Sequence, residues 1–195
     1  MRPAPAAALA VALPAALLAG CGQPLLSMQL EVPEIRITSP GHEFPATAHA
    51  HPTDYCEWAT PGCVFRDIQY DIGAEVPTLE EKGVALDLRL TDVALHLVSG
   101  TSDLRGVLSA EVKIQDPVTG DWILVASYAK PPGATPTDIY VSGNSNIELA
   151  PYLSSGKIGA RVEVSYDAKW PPGAFTADVE AGFSLVVTVS YDAYM

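Results

Sequence analysis

Along most of this chain, apolar and polar residues alternate with a period of two. Ile158, Ala160, Val162, Val164 and Tyr166 alternate with Gly159, Arg161, Glu163 and Ser165, the pattern of a strand with one buried and one wetted face. The last segment does the same at greater length, with Ala177, Val179, Ala181, Phe183, Leu185, Val187, Val189 and Tyr191 on one side. At about 3.3 Å per residue such a strand approaches 50 Å, longer than a small sandwich is expected to span. The pattern therefore predicts a bend or bulge at Gly182.

Earlier segments carry the same signal. Ile68, Tyr70 and Ile72 share one face, and Val84, Leu86, Leu88 and Leu90 another. The phase slips at Asp92 and resumes with Val93, Leu95 and Leu97, which predicts a bulge there or a turn between two strands. Leu108, Ala110, Val112 and Ile114 form a further face, followed by the turn sequence Asp116-Pro-Val-Thr-Gly-Asp121. The stretch from Trp122 to Ala129 is apolar on both sides, which predicts a central strand. Residues 28–37 are strand-like but interrupted by Pro33, which assigns them to a sheet edge. No segment has a convincing 3.6-residue period, and one helical turn at most is expected, within residues 148–154. Seven to nine strands joined by Pro- and Gly-rich turns predict an all-β fold. The form expected is an antiparallel β-sandwich on an immunoglobulin-like or related Greek-key path, a single domain over residues 28–195.

The amino terminus is different in kind. Arg2 precedes an apolar run from Ala6 to Leu18 and then small residues, the layout of a secretory signal over residues 1–20. The run falls short of the roughly 20 apolar residues a spanning helix needs. Leu18-Ala19-Gly20-Cys21 resembles the lipobox of bacterial lipoproteins, a resemblance confined to residues 1–21. It implies removal of residues 1–20, a diacylglyceryl group on the Cys21 thiol, acylation of the new amino terminus, and a short tether over residues 21–27. Two or more acyl chains anchor stably, at about 0.8 kcal/mol per buried CH₂. The location implied is the bacterial cell envelope, lipid-anchored. Gly22, where some bacteria read an aspartate as an inner-membrane retention mark, favours the outer membrane over the inner. With Cys21 lipidated, Cys56 and Cys63 remain as an even pair in an oxidising compartment and are expected to form a disulfide.

Charge narrows the partners. The formal net charge is −12, and loss of residues 1–20 removes only Arg2. Phosphate backbones and anionic lipid surfaces require clustered Lys and Arg, so nucleic acid is set aside. The membrane, through the lipid, and an envelope protein or glycan are the partners expected.

Candidate chemistry gathers in the irregular segment 39–63. A Cys56–Cys63 bridge would hold Tyr55 and Trp58 on a short constrained turn, lowering the entropy cost of using them as contacts. His42, His49 and His51 lie in the same stretch, and in an extended segment His49 and His51 project to one side, an arrangement able to supply ligands to zinc or copper. Ser127-Tyr-Ala-Lys-Pro-Pro-Gly-Ala134 is echoed by Ser165-Tyr-Asp-Ala-Lys-Trp-Pro-Pro-Gly-Ala174. These read as reused turn chemistry, or as matched loops presenting Lys130, Lys169 and Trp170. His96 is expected on a wetted face. The sequence contains no G-x-S-x-G elbow, H-E-x-x-H pair or phosphate-cradling glycine loop, and Glu80 and Glu81, adjacent on a strand, point to opposite faces. No catalytic residue is assigned. The function expected is a non-enzymatic binding or envelope-structural module without a cofactor; the alternative is a small-ligand or metal-binding module using the His-rich loop 42–51.

Overall fold

The computed structural model describes residues 26–46, 50–56, 62–74, 84–167 and 174–191. Its strands are β1 (Leu26–Phe44), β2 (Cys63–Asp71), β3 (Val84–Ser99), β4 (Val107–Gln115), β5 (Trp122–Ala129), β6 (Asp138–Ser142), β7 (Lys157–Tyr166) and β8 (Phe175–Tyr191). They form two four-stranded antiparallel sheets, ordered β1-β8-β3-β6 and β2-β7-β4-β5. Helical structure among the described residues amounts to two 3₁₀ turns, Pro52–Asp54 and Ala150–Tyr152; the second lies where the sequence predicts one.

The strand order follows from a single long hairpin. Leu26 faces Tyr191 and Phe44 faces Phe175. Moving inward, Cys63 faces Ser165, His96 faces Asp138, and Gln115 faces Trp122 across the turn at residues 116–121. The ribbon then rolls up, so that β8 also pairs with β3 and β7 with β4. This is the jelly-roll path of two Greek keys. The all-β antiparallel sandwich read from the alternation is the fold, on the related Greek-key path rather than the immunoglobulin one.

The core lies between the sheets. Strand β7 buries every second residue from Ile158 to Tyr166, and Phe44, Leu88, Phe175, Phe183 and Leu185 meet it from the opposite sheet, each at most 2% exposed. Burying a side chain of this size contributes about 1.5–3 kcal/mol. The Phe44 and Phe175 rings stack at 5.1 Å, with the Tyr166 ring edge-on to Phe175 at 6.2 Å.

Several expectations are corrected in detail. Strand β8 runs unbroken through Gly182, and the irregularities fall on its neighbours: β3 shifts register between Leu90 and Asp92, and β1 between Val32 and Ile35. Gly182 is needed for close approach, since a Cβ there would stand 2.6 Å from Thr91 Oγ1. The phase slip at Asp92 is thus a bulge inside one continuous strand. As an edge strand, β1 tolerates both Pro33 and Pro40. A second register shift between Ser39 and His42, with Gly41 at φ 74°, returns it to the ladder. Strand β1 therefore continues through residues 39–44, so the irregular part of the segment begins after Phe44, and the described part of β1 starts at Leu26.

Strand β5 is an edge strand, not a central one. Its apolar second side comes from a register shift opposite Val112 and Lys113, which leaves the consecutive residues Val125 and Ala126 both buried while Leu124 is 46% exposed. Its free side meets the other sheet through an Ala126–Gly143 bridge and a 2.8 Å bond from Asn144 N to Val125 O. A further shift between Val107 and Ser109 buries Val107 and leaves Leu108 exposed.

Candidate functional site

Strand directions sort the connections into two groups. The connections after β1, β3, β5 and β7 leave from one end of the sandwich, and those after β2, β4 and β6 from the other, where Leu26 and Tyr191 also lie. The first end collects the described candidates Tyr55, Cys56, Cys63 and Lys130. The Cys56–Cys63 disulfide is formed. Tyr55 bridges Val64 and is 38% exposed. Lys130 is tied to β4 and to the loop before it: its backbone N–H donates to Leu108 O at 2.9 Å and its Nζ to Arg105 O at 2.6 Å. Gly133 takes the positive φ, 75°, that the Pro-Pro-Gly turn calls for. Trp58, Lys169 and Trp170 lie outside the described residues, as do His49, Cys21, Glu80, Glu81 and residues 1–20.

Both described histidines of the proposed metal set have local partners. His42 lies on β1, with Nε2 2.8 Å from Ser39 Oγ. Burial first, opposed by Asp178 and aided by Arg66, lowers its pKa from the ordinary imidazole value. His51 caps the turn Pro52–Asp54, its Nδ1 2.8 Å from Thr53 Oγ1, while its backbone N–H donates to the Asp54 carboxylate at 3.1 Å. Among the described residues, the His, Cys and acidic atoms close enough to share an ion are those of Cys56, Cys63 and Glu163, and there both sulfurs are committed to the disulfide. His96 is half-buried on the outer face of its sheet, 2.7 Å from Asp138 Oδ1 and edge-on to the Tyr140 ring at 5.7 Å.

A more complete site lies on the outer face of the β2-β7-β4-β5 sheet, where the sequence assigns no candidate. Register aligns Asp67 with Arg161 and Arg161 with Lys113; one step along, it aligns Gln69 with Gly159 and Gln115 with Trp122. The Asp67 carboxylate accepts from Arg161 Nε at 2.6 Å and from its terminal nitrogen at 2.9 Å. The guanidinium carbon stands 3.9 Å from the Phe65 ring centroid and 4.3 Å from that of Trp122. Such contacts contribute about 0.5–1 kcal/mol when exposed and about 2 when desolvated. Here they place one cation over both rings. Lys113 reaches Glu163 at 2.7 Å and Glu111 at 3.1 Å. Burial works against its charge, but the two carboxylates outweigh it and raise its pKa.

These side chains wall a groove of about 330 Å³, lined by Asp67, Gln69, Gln115, Trp122, Gly159 and Arg161. Gly159 is its floor: a Cβ there would meet nothing nearer than Gln115 Cβ at 3.7 Å, so the missing side chain leaves open space. The volume falls in the roughly 300–1,000 Å³ range of small-ligand sites. One signal in the sequence bears on it, the isolated glycine on the wetted side of β7, since a strand glycine often marks a close approach by a ligand or another backbone.

No family model and no curated protein matches the chain. Solved structures with some likeness are viral capsids. The empty head of turnip yellow mosaic virus is 9% identical with a TM-score of 0.34, over 95% of this chain and 92% of that one. The BFDV capsid protein is 8% identical at 0.31, over 87% and 96%. A structure of infectious bursal disease virus, Gt strain, is 10% identical at 0.26, over 94% of this chain and 42% of that one. At these scores the fold assignment rests on the strand order alone, and the likeness carries nothing about function.

Proposed function

We propose that this chain is a lipid-anchored, non-enzymatic binding module of a bacterial cell envelope, attached through Cys21 and binding through the groove on the outer face of the second sheet. The observation that carries the reading is the groove's construction: a glycine floor, an indole with the Arg161 guanidinium over its ring, and two amide side chains. Its charged walls are satisfied within the protein, Asp67 by Arg161, which suits a rigid receptor better than a proton-transfer site. The end bearing Tyr55, the disulfide and Lys130 offers a second contact surface, to which the sequence adds Trp58, Lys169 and Trp170.

Two measurements test this. Intact mass of the native protein is expected to show a lipid-modified Cys21 as the first residue, and Cys21→Ala to release the protein from membranes. Isolated envelope material is expected to retain the wild type and to lose Gly159→Leu, which fills the groove. An unmodified amino terminus would overturn the anchor, and retention unaffected by Gly159→Leu would overturn the groove as binding site.

A further inference from the structure

We infer that the ligand of this groove is a neutral oligosaccharide, an inference that rests on the binding function proposed above. Sugars present two chemistries at once, weakly apolar C–H faces and hydroxyls that both donate and accept. The groove offers a match to each. Trp122 supplies a flat apolar surface, one side of which is already occupied by Arg161. Gln69 and Gln115 supply planar amides, each with donors and an acceptor, on either side of the Gly159 floor. Among the described residues, Gln115 makes one side-chain bond, and it is long, 3.4 Å from Nε2 to Gly120 O.

Charge excludes the main competitors. The Arg161 guanidinium is matched by both Asp67 oxygens, Lys113 by Glu163 and Glu111, and Lys157, two residues from the floor, by Asp71 at 3.6 Å, so each of these cations on this face already has a carboxylate partner. The chain as a whole carries −12. A purely apolar ligand would strand the two amides without partners, which costs free energy for every unsatisfied group.

Shape favours an oligomer over a single ring. Residues of all four strands line the groove, Gln69 from β2, Gly159 from β7, Gln115 from β4 and Trp122 from β5. Three inter-strand steps of about 4.8 Å give a length of roughly 14 Å. The lining stands on paired strands rather than on mobile loops, so little ordering cost opposes binding.

The test uses the full mature chain and tetrasaccharides of glucose, mannose and N-acetylglucosamine, with their monosaccharides and inorganic phosphate as comparators, measured by calorimetry. At least one tetramer is expected to bind, more tightly than its monomer and with little dependence on salt. Trp122→Ala and Gly159→Leu are each expected to weaken it by about tenfold or more, with the melting temperature of Gly159→Leu close to wild type. If no tetramer binds but envelope retention still depends on Gly159, the sugar assignment is wrong and the groove remains a binding site. If neither depends on Gly159, both readings fall. Phosphate binding that Gly159→Leu abolishes also overturns the sugar assignment.

Discussion

Leu26 and Tyr191 are cross-strand partners, so both ends of the described chain leave the sandwich on the same side, opposite the Cys56–Cys63 disulfide. Strand β1 spans 19 residues, or about 60 Å at 3.3 Å per residue before bulges shorten it. A lipid on Cys21 would hold the Leu26 end within roughly 17 Å of the bilayer, the reach of the intervening chain. The end bearing Tyr55 and Lys130 then faces away from the membrane. In vesicles with an acceptor dye in the headgroup region, a donor on Val118→Cys, in the turn near the anchor and 90% exposed, should transfer energy strongly. A donor on Thr135→Cys should transfer weakly, and the reverse order would refute this orientation.

Gly143 is where the two sheets meet. It bridges Ala126 of β5, and its N–H donates to Thr91 O at 2.9 Å. A Cβ at this position would lie 2.3 Å from Leu90 O and 2.8 Å from Leu90 C, backbone atoms that cannot swing aside. Gly143→Ala is expected to cost about 3 kcal/mol, high in the range for overpacking, and to lower the melting temperature by roughly 6–12 °C. Gly159→Ala, with no close neighbour, should melt within a few degrees of wild type and serves as the control.

How much of this could be read from the chain depended on the range of the interaction. The buried faces of β7 and β8 are visible because alternation is local: each residue's side follows from its neighbour's. Pro33 marks an edge by the same local logic, since it lacks a ladder donor. Register is not local. Gly182 looks like a kink in its own strand, yet its role is to admit Thr91 from β3, whose bulge is a property of the pair. Trp122 to Ala129 looks central because both sides are apolar, but a register shift in its pairing with β4 turns the consecutive residues Val125 and Ala126 inward on what is an edge strand. The groove is hidden for the same reason: Gln69, Gln115, Trp122 and Gly159 are ordinary wetted-face residues until pairing lines them up. The disulfide needed only cysteine arithmetic, whereas the gathering of Tyr55 with Lys130 at one end follows from strand directions that the pairing sets.

The disulfide closes a short loop, at a separation of seven residues. The chain-entropy relation gives about 2.5 kcal/mol for a loop of this size. Replacing both Cys56 and Cys63 by Ala is therefore expected to lower unfolding stability by about that amount with an unchanged denaturant slope. Chemical denaturation with and without reductant checks it: the wild type should lose a comparable amount on reduction, and the double variant nothing.

Arg161 gives a test of the groove wall independent of any ligand. Lysine keeps the charge but loses the two-point bond to Asp67 and the guanidinium contacts with the Phe65 and Trp122 rings, so Arg161→Lys should destabilise the protein by about 1 kcal/mol. Its sharper signature is optical. With the guanidinium gone, Trp122 should gain freedom, seen as lower fluorescence anisotropy and easier quenching by acrylamide when Trp58 and Trp170 are replaced by Phe. An unchanged anisotropy would mean that Arg161 does not fix the indole.

The loop at residues 100–106 supplies the carbonyl that holds Lys130, and its own order rests on one carboxylate. Asp103, 8% exposed, accepts from Arg105 Nε at 2.8 Å and from the Arg105 backbone N–H at 2.9 Å. These Arg105 bonds, against an opposing effect of burial, hold its carboxyl well below the usual carboxylate range. A pKa depressed by folding gives stability that is fully present above the unfolded value, about 3.9, and lost as pH falls through the folded one. From neutrality down to about pH 4 the loop should therefore keep its order, loosening only in stronger acid. Exchange of the Leu104 and Val107 amides, which donate to Pro136 O at 2.7 Å and Leu104 O at 3.0 Å, reports on it directly. Constant protection factors down to about pH 4 and a fall below it are expected, together with weaker and pH-independent protection in Asp103→Asn. Protection already lost near pH 5 would show that another group holds the loop.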